Sequence, residues 1–204
     1  MVQCAVLGSY RREVEFSSDI DLVIRHKKVK GDDSELSKEY LQKVVATFER
    51  RKLIIKENQL TFGAKKYSVT KGVSNVRAAN DPKSPFIQGL AQLPGHRFRR
   101  IDIRLAPWDA YPYMQLGSTG DSLLMKLLRH TAKLKGFALN EYGMGESFKK
   151  EDANPNGFRE DTLVKVTGER GIFKELGLPY LEPKDRDYSI WKSTYLKAGA
   201  DYFV

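Results

Sequence analysis

Disulfides are excluded at once: a single cysteine, Cys4, stands in 204 residues, so no intrachain pair can form, which suits a reducing compartment. Long apolar runs are missing too. None approaches the roughly 18 residues that a bilayer span needs. The first residues hold only a short apolar stretch without a basic leader, so no signal peptide is expected and the protein is expected to be intracellular, not secreted. The three histidines, His26, His96 and His130, lack metal-ligand spacing and are expected at the surface. Neither an internal repeat nor a low-complexity tract interrupts the chain. Negative charge is the scarcer sign, with 26 Asp and Glu against 35 Lys and Arg, a net charge of +9. That excess points to a polyanionic partner, either nucleic acid or an acidic membrane surface, without choosing between them.

What is present is ordinary for a globular chain: 41% hydrophobic residues, enough for one or two domains with a real core. Val2–Leu7 is a short apolar run ending at Gly8, expected as a buried strand with Cys4 a small core residue. Asp19–Arg25 is a second strand, closed by the basic cluster His26, Lys27, Lys28 and Lys30. From about Ser34 to Arg51, Leu36, Tyr40, Val44 and Phe48 recur at every fourth position, the stripe of an amphipathic helix. Asp33 or Ser34 can cap it, and Arg50 and Arg51 suit its negative end. Leu53–Ile55 and Lys66–Thr70 read as short strands, Lys71–Pro85 as a loop, and Phe86–Leu93 and Arg97–Ala106 as two strands around the turn Pro94-Gly95.

The second half changes character. Ser118-Thr119-Gly120-Asp121 has helix-start chemistry, and a helix follows to about Lys135. Leu123, Leu124, Leu127, Leu128 and Leu134 would cover its buried side, and Lys126, Arg129 and Lys133 form a basic stripe on the other. Glu146–Asp161 reads as a polar loop. A last helix, Glu169–Leu176, stops at Gly177 with Pro179 beyond. Trp108 and Trp191 are expected as packing residues. Strands mixed with helices, then a mostly helical end, predict an α+β fold in two parts: 1–110 as a mixed sheet with helices, 111–204 as a small, mainly helical subdomain.

Chemistry concentrates at Gly8-Ser9-Tyr10-Arg11-Arg12 and Asp19-Ile20-Asp21. Side chains alternate along a strand, so Asp19 and Asp21 project from one face with Cα atoms about 6.6 Å apart. Two carboxylates so placed can hold two Mg²⁺ ions, which in two-metal sites lie about 3.5–4 Å apart. Gly8 and Ser9 follow an apolar strand, where backbone N–H groups, the Ser9 hydroxyl and the Arg12 guanidinium can receive a phosphate. The bland alternative is a strand-turn with a surface ion pair between Arg12 and Asp19. In Arg99-Arg100-Ile101-Asp102-Ile103-Arg104-Leu105, Ile101, Ile103 and Leu105 share one face and Arg100, Asp102 and Arg104 the other. Asp is depleted in strand interiors. Asp102 is therefore a candidate third metal ligand, although its flanking arginines could merely neutralise it.

These residues resemble the palm of DNA polymerase X enzymes, in its DNA polymerase beta-like form. The resemblance continues through Ser118-Thr119-Gly120-Asp121, Arg129, Lys135-Gly136-Phe137 and Asn140-Glu141-Tyr142-Gly143 to Leu178-Pro179-Tyr180-Leu181-Glu182-Pro183. It implies a nucleotidyltransferase palm followed by a nucleotide- and template-binding subdomain, acting on primer/template DNA, gapped or nicked, and on dNTP rather than on a membrane. Asp19, Asp21 and Asp102 would ligate two Mg²⁺, with Mn²⁺ able to substitute. Gly8, Ser9 and Arg12 would hold the triphosphate. Gly117, Ser118, Thr119, Gly120, Ser122 and Met125 would meet the incoming nucleotide, with Thr119 and Gly120 beginning the helix against which its sugar and base lie. Lys126, Arg129, Lys133 and Arg100 would contact DNA. Arg104, Glu141 and Tyr142 would form a switch that closes the enzyme.

Three departures qualify the resemblance. The family's lyase and helix-hairpin-helix domains have no counterpart in these residues, so no lyase activity is expected, and a protein partner is a candidate source of DNA grip. Gly117 and Ser118 replace a Tyr-Phe pair that discourages ribonucleotides, which admits rNTP as substrate. As part of the same departure, Met125 replaces an Asn that reads the minor groove of the incoming base, and a Met cannot donate that hydrogen bond. The Lys71–Pro85 segment is longer than in the beta-type enzyme. Three functions stay open: a templated polymerase filling short gaps in DNA repair, a template-independent or ribonucleotide-tolerant terminal transferase, and a non-catalytic DNA-end-binding module.

Overall fold

The computed structural model describes residues 2–30, 34–54, 61–62, 65–66, 86–147 and 157–197. The expected loop at 71–85, most of the strand at 66–70, the middle of the 146–161 stretch and the last seven residues lie outside them. In chain order the first elements are β1 (Val2–Val6), α1 (Gly8–Arg11), β2 (Asp19–His26), α2 (Ser34–Arg50), β3 (Thr61–Phe62), β4 (Lys65–Lys66), β5 (Phe86–Ala91) and β6 (Arg99–Ala106). There follow α3 (Tyr111–Thr119), α4 (Ser122–Leu134), β7 (Phe137–Leu139), β8 (Met144–Glu146), α5 (Glu169–Leu176) and α6 (Tyr188–Lys197). The chain divides into two compact units: Met1–Val6 with Ser17–Trp108, and Leu7–Phe16 with Asp109–Val204. The α1 turn thus belongs to the second unit.

The first unit is built on a four-stranded sheet in the order β1-β2-β6-β5. β1 runs antiparallel to β2, β2 parallel to β6, and β5 antiparallel to β6. Alternation along β2 and β6 gives each strand one apolar row, and Leu22, Ile24, Ile101, Ile103 and Leu105 are all buried. Leu36, Tyr40, Val44 and Phe48 of α2, the stripe expected from the sequence, pack against that row. Burial of each large apolar side chain stabilises the sheet–helix layer by roughly 1.5–3 kcal/mol. The Leu53 region contributes an isolated bridge, Ile54 to Ala91, and not a full strand.

One expectation fails here. β1 is a strand, but an edge strand with Cys4 exposed and with Val2 60% and Val6 39% exposed. An edge strand has a neighbour on one side only, and an apolar run carries no information about its place in the order. Leu7, at the end of the run, is buried and goes with the second unit.

The second unit is helical around Tyr113, Leu116, Leu124, Leu128, Phe173 and Trp191. α3 has no counterpart in the sequence reading, because Pro112, Gly117 and Ser118 weaken its helical signal; Pro112 sits at its start, where a proline is tolerated. α4 begins as expected, with the Asp121 side chain accepting a 2.6 Å hydrogen bond from the Leu124 N–H. Thr119 and Gly120, however, end α3 and do not begin α4: Gly120 has φ +74, the left-handed region that favours glycine at a helix C-terminus. Leu123 and Leu134, expected on the buried side of α4, are 42% and 65% exposed, while Met125 takes a core place at 5%. β7 and β8 form a short hairpin that the polar sequence around it did not announce. α5 ends at Gly177 as predicted, and α6 draws Trp191 and Tyr195 into the core. Among the described residues no helix is long and apolar enough to cross a membrane.

Candidate catalytic site

Parallel pairing of β2 with β6 sets Asp19 opposite Arg100, Asp21 opposite Asp102 and Val23 opposite Arg104. Paired residues of neighbouring strands share a face, and the strands lie about 4.8 Å apart. Asp19, Asp21 and Asp102 therefore stand on one side of the sheet, opposite the apolar row that holds it to α2. The carboxylate of Asp19 accepts a 2.6 Å hydrogen bond from Arg100 and one of 3.2 Å from the Ser18 hydroxyl. The Ser17 hydroxyl donates to the Asp19 carbonyl, which braces the start of β2. Burial raises the Asp21 carboxyl above its ordinary value, and the charges of Asp19 and Asp102 push the same way against Arg104 and Arg100. Three carboxylates are hard oxygen donors of the kind that Mg²⁺ and Mn²⁺ take. Among the described residues no three His, Cys, Asp or Glu side chains are already arranged to hold a metal ion.

In the second unit the α1 turn follows the buried Leu7, and Gly8 opens it with φ +62. Its two arginines have different partners. Arg12 donates to the Thr119 carbonyl, and its Nε lies 3.8 Å from Asp187 without a hydrogen-bond partner. A Cβ on Gly120 would stand 3.2 Å from the Arg12 guanidinium, so the absent side chain makes room for it. Arg11 donates two hydrogen bonds to Glu169, at 2.8 and 2.7 Å, and one of 2.7 Å to the Thr119 hydroxyl. The fully buried Arg186 grips the same carboxylate from its other side at 2.8 and 3.2 Å. Burial by itself would raise Glu169, but the hydrogen bonds of Arg11 and Arg186 outweigh it and hold its carboxyl below the ordinary range. Arg11, Glu169 and Arg186 were not singled out from the sequence. Glu169 reads there as a first-turn helix residue, and no spacing rule joins positions 158 residues apart.

The remaining candidates divide by exposure. Lys126, Arg129 and Lys133 are exposed along α4, with Arg129 3.8 Å from Glu141. Glu141 and Tyr142 lie in the β7–β8 turn, where the Asn140 side chain accepts from the N–H groups of Tyr142 and Gly143. Gly117 and Ser118 are half-buried in α3, Thr119 is buried, and Ser122 is exposed at the start of α4. Ser9 is half-buried in α1. Arg104 belongs to the first unit, and Glu141 and Tyr142 to the second.

Two family models match the chain: one described as DNA polymerase beta palm over residues 1–108, and one described as DNA polymerase beta thumb over residues 114–187. The chain belongs to the DNA polymerase X family. Among its X-family relatives, DNA polymerase lambda of Arabidopsis thaliana is 28% identical over 181 residues, which is 88% of this chain and 31% of that protein. DNA-directed DNA/RNA polymerase mu of Homo sapiens is 33% identical over 95 residues, 46% of this chain and 17% of that protein. The crystal structure of Leishmania infantum polymerase beta, a ternary P/T complex, matches with a TM-score of 0.68 at 25% identity, covering 91% of this chain and 67% of that one. The chain therefore spans about a third of the length of the plant X-family relative.

Proposed function

We propose that this X-family chain is a DNA-directed DNA polymerase that adds nucleotides to a primer 3′ end, filling short gaps in DNA repair. The observation that carries the reading is the β2–β6 register, which sets Asp21 beside Asp102 with Asp19 on the same face. Residues 1–110 act as the catalytic palm and 111–204 as the nucleotide- and template-binding part, with the α1 turn contributed to the latter. Bound by Asp19, Asp21 and Asp102, two Mg²⁺ ions (or Mn²⁺) would stabilise the attacking and leaving oxygens of an in-line displacement. Asp102 would help deprotonate the primer 3′ hydroxyl. Gly8, Ser9 and Arg12 hold the triphosphate of the dNTP, and Arg11 positions that turn through Glu169. Gly117, Ser118, Gly120 and Ser122 border the incoming nucleotide, while Thr119 and the buried Met125 shape the backbone beneath it. Lys126, Lys133 and Arg100 contact DNA, Arg129 contacts the template side of the nascent pair, and binding is steeply salt-dependent. Arg104, Glu141 and Tyr142 form the closing switch.

A second reading, tolerance of rNTP or extension without a template, has its own support. Gly117 bears no side chain, and a Cβ added there would meet nothing nearer than the Glu141 Cβ at 3.8 Å. The experiment that separates these readings gives the protein Mg²⁺, each dNTP or rNTP singly, and a labelled primer, bare or on a gapped duplex. Extension only by the nucleotide complementary to the gap, lost in Asp102→Ala, supports the templated polymerase. Extension of the bare primer or equal use of rNTP supports the second reading. DNA binding without extension under any condition would leave the non-catalytic end-binding module and overturn the enzyme.

A further inference from the structure

α6 starts at Tyr188, just past residue 187, where the span matched to the thumb ends. It is nevertheless seated in the core of the second unit. Trp191 and Tyr195, one helical turn apart and so on one face, are 2% and 0% exposed. Tyr188 meets the indole edge-on with ring centroids 5.2 Å apart, and the Tyr195 hydroxyl donates a 3.1 Å hydrogen bond to the Pro179 carbonyl. An apolar ring would suffice as an anchor, but an indole brings an N–H that needs an acceptor once buried. The acceptor stands at the start of α4: the Trp191 Nε1–H donates to the Asp121 Oδ2 at 3.4 Å. The other oxygen of that carboxylate, Oδ1, accepts the Leu124 N–H at 2.6 Å and caps the helix. One carboxylate thus joins α6 to the first turn of α4. From the other side the Arg12 guanidinium donates to the Thr119 carbonyl. The short junction between α3 and α4 is therefore held at both ends, and Gly120 and Ser122, two of the residues assigned to the incoming nucleotide, flank Asp121 directly.

We propose that α6 is a positioning element of the nucleotide site, with Trp191 acting through Asp121 to fix the Gly120–Ser122 backbone that borders the incoming nucleotide. Released from the indole, the Asp121 side chain regains rotamer freedom, and the cap and its neighbours loosen with it. The inference deepens the polymerase reading and rests on it for the substrate. Asp19, Asp21 and Asp102, the proposed metal ligands, belong to the first unit. Loss of the brace should therefore weaken nucleotide binding and spare the chemical step.

Two variants of the whole chain break the link in different ways. Trp191→Phe keeps an aromatic ring in the core and removes the donor. Asp121→Asn leaves the core untouched, should Trp191→Phe not fold, and has one carbonyl oxygen that serves the cap or the indole but not both. In primer extension on a gapped duplex with Mg²⁺, each variant is expected to raise the KM for dNTP about fivefold, the net worth of one hydrogen bond. Unchanged kcat would mark the loss as one of binding. The double variant should lose no more than either single one, because both remove the same contact. Amide exchange gives a readout free of activity: the Leu124 N–H should exchange about fivefold faster in both variants, with the amides of Ile172 and Phe173 in α5 unchanged. Additive losses in the double variant, a fall in kcat at constant KM, or exchange that is unchanged or quickens equally in α4 and α5 overturns the proposal. A parent chain that extends no primer overturns the polymerase reading and with it the substrate named here; whether α6 braces α4 is then decided by exchange alone.

Discussion

Both units draw carboxylates out of bulk water, and they treat them in opposite ways. In the second unit Glu169 lies between Arg11 and Arg186 and its carboxyl is held low. In the first, burial pushes the Asp21 carboxyl up, and the two carboxylates beside it push the same way. A buried charge with its partners supplied is a fastener: it ties α1 to α5 and to the chain after Leu181. A carboxylate partly buried beside two others weakens the fold unless something else requires it, and such shifted groups cluster at functional sites. On the proposed function, the first kind of carboxylate holds the molecule and the second kind acts.

If that contrast is right, its strongest break is at Asp102. Asp102→Asn removes a proposed metal ligand together with one of the neighbouring charges, so primer extension is expected to be lost, while Tm stays level or rises. A fall in Tm of several degrees would instead make Asp102 a structural residue. At the other region the expected sign is reversed. Glu169→Gln leaves Arg11 and Arg186 without a counter-charge and is expected to cost roughly 3–5 kcal/mol in urea unfolding. Because the folded carboxyl is depressed, its stabilisation is present above the unfolded-state value near 4.5 and disappears as pH falls through the lower folded value. That acid-side loss should be smaller in Glu169→Gln than in the parent chain.

Two glycines sharpen the comparison at smaller scale. A Cβ on Gly143 would come within 2.4 Å of the Leu163 Cδ1 and 2.9 Å of the Phe158 Cζ, so Gly143→Ala should destabilise by about 1–3 kcal/mol. Gly117→Ala meets only the 3.8 Å contact and should leave Tm unchanged, so any loss of rNTP use would be read at the substrate and not through the fold. The smallest effect is a gain. Glu13 holds φ +61 immediately after the paired arginines, a conformation that costs a side chain about 1 kcal/mol, and Glu13→Gly should raise Tm by a few degrees. No rise would mean that the Glu13 side chain makes a compensating contact.

Where local pattern and tertiary environment agree, the reading from residues was close. α2 is legible because its stripe recurs every fourth residue and the sheet offers a single apolar face to receive it. α5 and its Gly177 stop are legible because a left-handed cap is local chemistry. The run at β1 misleads because apolarity foretells burial but not strand order, and β1 lies at the edge of the sheet. Thr119 and Gly120 mislead for a related reason: polar residues between two helices can cap either, and only the Asp121 hydrogen bond assigns the start of α4. Met125 was read for what it could contact, while its helix turned it into the core.

The family, the α+β class and the candidate triad Asp19, Asp21 and Asp102 are all readable along the chain, because strand alternation and motif spacing are properties of a few adjacent residues. Packing alone decided that Asp21 stands opposite Asp102, that Arg11 and Arg186 close on Glu169, and that β1 takes an edge place in the sheet. Each of these joins residues far apart in the chain, and strand register, burial and the pairing of charges are settled by packing, which no local spacing encodes.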